Sequence, residues 1–175
     1  QLLRDVARTG AVLVDGGASG IQLARELGAV LPHWERSLDA VILTLPQDEH
    51  VGAVPEILKR FDVAEIMDSE LGGTSQALPQ DGASTPPHHI VHAGDHYDID
   101  GVRFDVVSPA RGAISTATND GALVLVVTYG NTSFILPSNA SVKSQQALMA
   151  SRNVDADVLV QVVIGAGVER GDLLG

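Results

Sequence analysis

Residues 38–61 read LDAVILTLPQDEHVGAVPEILKRF, and this stretch decides the predicted fold. The apolar run Ala40–Leu43 is short enough to be one buried strand, and Pro46 prevents its ladder from continuing because proline has no N–H to donate. We expect the polar residues 47–50 to form a loop. Apolar residues at close to helical spacing then predict a helix over 51–61. In open α/β sheets, sites gather just beyond the carboxyl ends of strands, where this loop would lie.

The flanking segments continue the alternation of strands and helices. An apolar strand over 11–14 ends at the turn Asp15-Gly16-Gly17, and a helix follows from Gly20 until Pro32 stops it. Asp100-Gly101 and Gly130-Asn131 are typical hairpin turns. The fold class is therefore α/β, and we expect one domain. Further elements are predicted as strands at 1–4, 63–67, 89–92, 102–107, 123–129, 132–136 and 158–164, a loop over 68–87, and a helix over 142–149 capped by Ser141.

The composition is that of a globular domain with an acidic surface. The chain has 175 residues, of which 45% are hydrophobic, so it can form a core and is not disordered. It lacks an apolar run of about 18 residues, and we predict no membrane span within it. The net charge of −11 opposes tight binding of DNA, and the absence of cysteine excludes thiolate zinc sites and cysteine nucleophiles.

Five segments resemble, in the same order, those of metallo-β-lactamase-like domains. More narrowly, they are similar to the C-terminal domain of ComEC-type competence proteins, whose membrane part forms a channel for DNA uptake. The resemblance covers residues 1 to about 167 and implies an αββα sandwich with two mixed sheets and helices on the outer faces. The segments are VLVDGG (12–17), LDAVILTLPQDEHVGAVPEIL (38–58), AGDHYDIDGVRFDVVSP (93–109), NDGALVLVVTYGNTSFILPSNAS (119–141) and DADVLVQVVIG (155–165).

The resemblance also implies a place for this chain in a larger protein. Its abrupt start in an apolar stretch agrees with that interpretation, so we expect residues 1–175 to be a single domain cut from a longer membrane protein. The parent would lie in the bacterial cell membrane, with this domain soluble on a side that the sequence does not specify. The expected partner is the membrane-channel portion of the same protein, with DNA bound weakly at most.

The family's catalytic chemistry depends on a His-x-His-x-Asp-His loop. Together with later ligands, it holds two zinc or manganese ions that activate a water for hydrolysis of an ester or phosphodiester. In this chain the corresponding positions hold Leu45, Gln47, Glu49, His50, Asn139 and Ile164. Aliphatic side chains cannot bind a metal, and a neutral amide cannot bridge two cations as a carboxylate does. We therefore expect these to be vestigial positions, with no catalytic residue, no bound metal and no small-molecule cofactor.

A weaker cation site remains conceivable at the same loop. Oxygen ligands suit magnesium or calcium, and Asp48, Glu49 and Asn139 could supply them. The alternative is that these residues are solvated, with His50 hydrogen-bonded near a helix start. We favour the alternative, and we expect Asp15 to accept hydrogen bonds from N–H groups of its own turn.

Two other motifs also have a structural alternative. Four histidines, at 88, 89, 92 and 96, could suggest a metal site. However, His88 and His92 on one strand face would lie about 13 Å apart, so we expect an exposed loop and edge strand. The glycine-rich residues 16–20 precede a helix as phosphate-binding loops do, but they lack a P-loop lysine and the full dinucleotide fingerprint.

Three functional hypotheses follow. The first is a degenerate domain that keeps the hydrolase fold, has lost the metal centre and serves a structural or interaction role in DNA uptake. The second is an active metal-dependent nuclease whose altered site recruits ligands from other positions. The third is an isolated small-molecule hydrolase of the same fold, against which the ComEC-like segments count.

Overall fold

The computed structural model describes residues 10–69, 78, 85–113, 119–151 and 154–160, in which two sheets are enclosed by helices. The helices are α1 (Gly20–Val30), α2 (Asp48–Val51), α3 (Val54–Arg60) and α4 (Val142–Ser151). The strands are β1 (Val12–Val14), β2 (Ser37–Leu38), β3 (Ala40–Leu43), β4 (Asp62–Val63), β5 (Ile66–Asp68), β6 (His88–Ile90), β7 (His96–Ile99), β8 (Val102–Ser108), β9 (Val124–Tyr129), β10 (Thr132–Leu136) and β11 (Val158–Leu159).

The first sheet has the order β1-β3-β5-β6, and all its described pairings are parallel. Every residue of β3 is buried, as expected for a central parallel strand covered on both faces. Because β1 and β3 are parallel, their carboxyl ends lie at the same end of the sheet. Asp15 follows β1 and Thr44 follows β3, so both residues lie at that end. The short strands β2 and β4 form a separate parallel pair.

The second sheet has the order β11-β10-β9-β8-β7, with antiparallel pairings except between β10 and β11. Its two predicted hairpins are confirmed. Asp100 and Gly101 have φ values of +50° and +79°, and Gly130 has φ of +59°, the left-handed backbone that tight hairpin turns require. These turns fix the register, in which Ile99 pairs with Val102 and Tyr129 with Thr132.

Three apolar clusters hold the layers together. The first lies between the parallel sheet and α1 and α3, and Val41, Ile57 and Ile66 are at its centre. The second joins the inner faces of the two sheets through residues such as Ile42 and Leu125. The third lies on the outer face of the second sheet, toward α4. Helix, sheet, sheet and helix therefore stack in the predicted αββα order.

The caps and stops of the two longest helices agree with the sequence. Ser19 accepts a hydrogen bond from the Gln22 N–H at the start of α1, and Pro32 follows its end. Ser141 accepts from the Ser144 N–H, so its predicted capping role at α4 is confirmed. Within the described residues, no helix combines the length and the apolar character that crossing a bilayer requires.

Several predicted boundaries were wrong. Residues 47–50 were expected as a loop, but α2 begins at Asp48, because the Gln47 carbonyl accepts from the His50 and Val51 N–H groups. The helix predicted over 51–61 is interrupted between α2 and α3. The strand predicted over 63–67 is two strands, β4 and β5, in different sheets. The strand predicted at 1–4, most of the loop over 68–87 and the end of the strand over 158–164 lie outside the described residues.

Candidate functional site

Four polar side chains meet where the parallel sheet approaches the end of β10. Asp15 follows β1, Thr44 follows β3, His50 belongs to α2, and Ser138 follows β10. We call Asp15, Thr44, His50 and Ser138 the polar cluster. Thr44 and His50 are close in sequence, whereas Asp15 and Ser138 are distant from them. The parallel pairing of β1 with β3 brings Asp15 to Thr44, and the end of β10 brings Ser138 to Thr44.

The Asp15 carboxylate is the centre of the polar cluster. Its Oδ1 accepts from the Thr44 N–H at 2.8 Å, and its Oδ2 accepts from Thr44 Oγ1 at 2.7 Å and from His50 Nδ1 at 2.8 Å. The expectation that Asp15 binds N–H groups of its own turn was therefore wrong. Its partners belong to the next strand and to α2, because the left-handed backbone of Asp15, with φ of +58°, redirects the chain at this point.

The proton positions in the polar cluster follow from donor and acceptor chemistry. An ionised carboxylate only accepts, so the Thr44 hydroxyl proton points to Asp15 and the Ser138 hydroxyl donates to Thr44 Oγ1, 2.6 Å away. By the same reasoning, His50 carries a proton on Nδ1. The histidine is only 1% exposed, and its Nε2 has no hydrogen-bonding partner among the described residues.

The position of the family's first histidine is occupied by the core. Leu45 is 1% exposed and packs in the cluster that contains Ala122, Val124 and Ala140. Its neighbours are aliphatic, so an imidazole there would have no acceptor or donor in that cluster. The leucine at this position is therefore matched by the aliphatic side chains that surround it.

The other vestigial positions are spread over the surface. The Gln47 side-chain amide donates to Asn119 Oδ1 at 3.0 Å, so it has a structural partner. Glu49 and Asn139 are exposed, as is Asp48. Ile164 lies outside the described residues. Of the proposed positions, the structure places only His50 within the polar cluster.

The donor groups of the described residues do not fit a pair of zinc ions. Across the described part of the chain, no three or more His, Asp or Glu side chains are grouped so that they could hold a metal. The His50 Nδ1 faces Asp15, which leaves a single imidazole nitrogen at this place, whereas a catalytic zinc needs about three protein ligands.

Two of the histidines at 88–96 each contact one carboxylate. His88 Nε2 lies 3.2 Å from Asp68 Oδ2, and His89 Nε2 lies 3.5 Å from Glu65 Oε2. The predicted edge strand is confirmed, since β6 ends the parallel sheet as described. The expectation of an exposed loop was wrong for His92, which is 3% exposed. Its backbone N–H donates to Asp95 Oδ2 at 2.8 Å, which folds the chain back toward the second sheet.

A cavity of about 480 Å³ borders the polar cluster, and we call it the His50 cavity. It lies between β1, the start of α1 and the end of β10, and the glycine-rich turn at 16–18 forms part of its wall. Its apolar wall consists of Leu13, Val14, Leu23 and Leu136 with Ala18, and its polar wall of Asp15, Thr44, Glu49, His50 and Ser138.

Thr44 and Ser138 were not predicted as site residues. Their contact spans 94 residues of sequence, so no local pattern contains it. One local indication existed, because a threonine directly after a four-residue buried strand must find a partner for its hydroxyl.

No family model matches the chain. Solved structures with a similar fold include a metallo-β-lactamase of Cronobacter sakazakii with an HARLDQ motif, at 16% identity and a TM-score of 0.54 over 77% of this chain and 54% of that one. A second is the MIM-2 metallo-β-lactamase, at 17% identity and a TM-score of 0.60 over 87% of this chain and 65% of that one. A third is the metallo-β-lactamase fold protein YhfI of Bacillus subtilis, at 15% identity and a TM-score of 0.50 over 71% of this chain and 48% of that one. At these identities, the likeness concerns the fold.

One curated relative adds a similarity in sequence. ComE operon protein 3 of Bacillus subtilis is 28% identical over 132 residues, which cover 71% of this chain. The matched part is only 16% of that relative's length. The resemblance found in the sequence is thus confirmed: the chain has the metallo-β-lactamase fold and is similar to ComE operon protein 3.

Proposed function

We propose that residues 1–175 form a catalytically inactive metallo-β-lactamase-fold domain of a ComEC-like DNA internalization protein. Its parent protein lies in the bacterial cell membrane, and the domain has a structural or interaction role there. The partner is the membrane-channel portion of the same protein. The similarity to ComE operon protein 3 and the shared fold support this assignment.

The burial of Leu45 is the main observation that supports the proposed loss of catalysis. A metal-activated hydroxide needs several converging nitrogen and oxygen ligands. At the first of these positions the chain places a leucine that packs against Ala122, Val124 and Ala140. A compensating ligand from elsewhere would have to displace this packing.

The polar cluster supports the same conclusion. The Asp15 carboxylate already accepts three hydrogen bonds from Thr44 and His50, and the Ser138 hydroxyl is directed to Thr44. These bonds tie β1, β3, α2 and the end of β10 together. The groups that remain from the family's site thus have a structural function in this chain.

The negative net charge of the chain argues against tight binding of DNA. With 22 acidic and 11 basic residues, the domain has few cations with which to neutralise phosphates. We expect electrophoretic mobility shifts with single- and double-stranded DNA to give dissociation constants weaker than about 10⁻⁴ M at physiological salt. Tighter binding that depends on salt would assign the domain a direct role in holding DNA.

Metal binding and nuclease activity test the proposal together. Isothermal titration of the purified domain with zinc and manganese should show no stoichiometric binding at micromolar concentrations, and the same samples should leave DNA uncut. Stoichiometric micromolar binding accompanied by strand cleavage would overturn the proposal. A matched control is the quadruple variant Leu45→His, Gln47→His, Glu49→Asp, Asn139→Asp. It tests whether restoring these four family ligands is sufficient for metal binding and strand cleavage.

The second candidate is an active metal-dependent nuclease or hydrolase with an altered site. One observation favours it: His50 Nε2 is a buried nitrogen without a partner in the described structure, beside a cavity. Elemental analysis of protein purified without chelators discriminates the two candidates. One or two equivalents of a transition metal would favour the second, and less than a tenth of an equivalent, roughly, the first.

A further inference from the structure

We propose that the His50 cavity binds a small organic cation, a primary ammonium ion with an apolar body, whose charge lies near the carboxylates of Asp15 and Glu49. This binding site goes beyond the proposed function, because it concerns a free ligand and involves neither a metal nor a partner domain.

The apolar part of the wall fits the body of such a ligand. The cavity volume of about 480 Å³ lies within the range of roughly 300–1,000 Å³ that is usual for ligand sites. Leu13, Leu23 and Leu136 provide aliphatic wall from β1, α1 and the end of β10. Each of these leucines is only half-buried, so apolar surface remains for a ligand to cover. Covering it is favourable because that surface is removed from water.

The charge of the wall is negative. The carboxylates of Asp15 and Glu49 both line the cavity, and no lysine or arginine among the described residues does. Both acidic residues are accessible, because the Asp15 side chain is 20% exposed and Glu49 is exposed. The start of α1 adds at most roughly half a positive charge. The cavity therefore attracts a cation and repels an anion.

The protonation state of His50 does not change the sign of this charge. The imidazole is 1% exposed and contacts Asp15 through Nδ1. A charged imidazole would offset at most one of the two carboxylates, and the charge of Glu49 would remain. Glu49 is therefore the residue on which the preference for a cation can be tested.

The hydrogen-bonding groups of the wall also match an ammonium ion, which has three donors and no acceptor. The hydroxyl proton of Thr44 is directed to Asp15, and that of Ser138 is directed to Thr44. The Ser138 hydroxyl and the two carboxylates are thus available to a ligand as acceptors. The carboxylates also disfavour phosphate binding by the glycine-rich turn at 16–18, which lines the same cavity.

The test compares probes that share one ring and differ in charge: benzylammonium, benzyl alcohol and benzoate. Each is titrated at neutral pH into ¹⁵N-labelled protein in buffer containing EDTA, so that the result is independent of metal binding and of the proposed function. We expect saturable shifts for benzylammonium at residues lining the cavity, with an affinity about tenfold above that of benzyl alcohol. Benzoate should not bind. Equal affinities for benzylammonium and benzyl alcohol, saturable benzoate binding, or no saturable benzylammonium binding would overturn the inference.

The decisive variant is Glu49→Gln, which removes one negative charge from the wall and keeps the shape of the side chain. The preference for benzylammonium over benzyl alcohol should fall about threefold in this variant. The matched control is Asp48→Asn, which removes the same charge from the preceding exposed residue of α2, outside the cavity wall. The control should leave the preference within about 1.5-fold of the native value. Equal falls in the two variants would show attraction to the net charge alone and would overturn the inference.

A second variant tests the place of binding. Ala18 is exposed and lines the cavity, so Ala18→Phe should fill part of it without altering the carboxylates. Benzylammonium and benzyl alcohol should then both bind at least fivefold more weakly, roughly. Equal affinities in Ala18→Phe and the native protein would place the probes elsewhere and would also overturn the inference.

Discussion

Asp15 Oδ2 lies 2.8 Å from Nδ1 of His50, although 35 residues separate the two in sequence. The same carboxylate also accepts from the backbone and the hydroxyl of Thr44. One side chain thereby joins the ends of β1 and β3 to the helix that follows them. The contact explains why a histidine remains here although the neighbouring ligand positions are leucine, glutamine and glutamate: it has a structural partner.

The first prediction concerns the Asp15 carboxylate. Asp15→Ala removes the acceptor of three hydrogen bonds and places alanine at φ of +58°, so we expect a loss of about 3 kcal/mol in the free energy of unfolding. Asp15→Asn keeps an acceptor and tolerates the left-handed backbone, and we expect a loss of about 1–2 kcal/mol. Urea denaturation followed by circular dichroism measures both.

The control for this prediction is Asp98→Asn, the same chemical change at an exposed position of β7. It should change the free energy of unfolding by less than about 0.5 kcal/mol. If Asp15→Asn were no more destabilising than this control, the carboxylate would not organise the cluster as the distances indicate.

The second prediction concerns Leu45. Leu45→His puts a polar ring into an aliphatic cluster, and we expect a loss of about 3 kcal/mol of stability from lost packing and an unsatisfied imidazole. Leu45→Met keeps the volume and should cost less than about 1.5 kcal/mol. Thermal and urea unfolding compare the two variants. Equal stabilities of Leu45→His and the native protein would show that this position still accommodates a metal ligand.

The third prediction concerns the approach of α1 to α3. A Cβ at Gly20 would lie 2.5 Å from Glu56 Cβ, so Gly20→Ala should force the helices apart and destabilise the protein by about 1–3 kcal/mol. Gly28 lies in the same helix, and its added Cβ would have no atom of the described residues within 4 Å apart from its chain neighbours and the backbone of its own helix. Gly28→Ala should stabilise by about 0.5–1 kcal/mol, because alanine loses less backbone entropy in a helix. The same sign for both variants would contradict the close packing.

Much of the fold was predictable because its determinants are local. The burial of Ala40–Leu43, the hairpin turn Asp100-Gly101 and the cap Ser141 are all expressed within a few residues, and the structure confirms each. The start of α2 was missed because Gln47 gives no side-chain cap, so the sequence contains no conventional start there. Residues 63–67 were predicted as one strand because a run of apolar residues does not reveal a change of sheet.

The site was less predictable because its contacts are distant in sequence. Family likeness identified the vestigial positions, but only the structure shows that Leu45 packs against residues some 80–95 positions later. The packing of Leu45 has no local pattern from which it could be inferred. The spacing of the histidines likewise suggested exposure, whereas the structure buries His92 and its backbone N–H donates to Asp95 Oδ2.

The fourth prediction concerns pH and the attachment of β11. The backbone N–H and the hydroxyl of Ser133 both donate to Asp157 Oδ2, at 2.8 and 2.9 Å, and these bonds lower the pKa of the exposed Asp157 carboxyl below its ordinary value of 3.8. A pKa lowered on folding means that the carboxylate contributes stability above the unfolded value. That contribution is lost as the pH falls through the lower value of the folded state.

Carboxyl ¹³C shifts recorded during an acid titration measure this pKa directly. We expect a midpoint below 3.8 in the native protein. In Ser133→Ala the hydroxyl bond is lost while the backbone bond remains, so the midpoint should move only part of the way back. In Asp157→Asn the charge is absent, and the difference in stability from the native protein should shrink as the pH falls below about 4. A native midpoint at or above the ordinary value would show that Ser133 does not hold this carboxylate in solution, and that the parallel pairing of β10 with β11 depends on its backbone bonds alone.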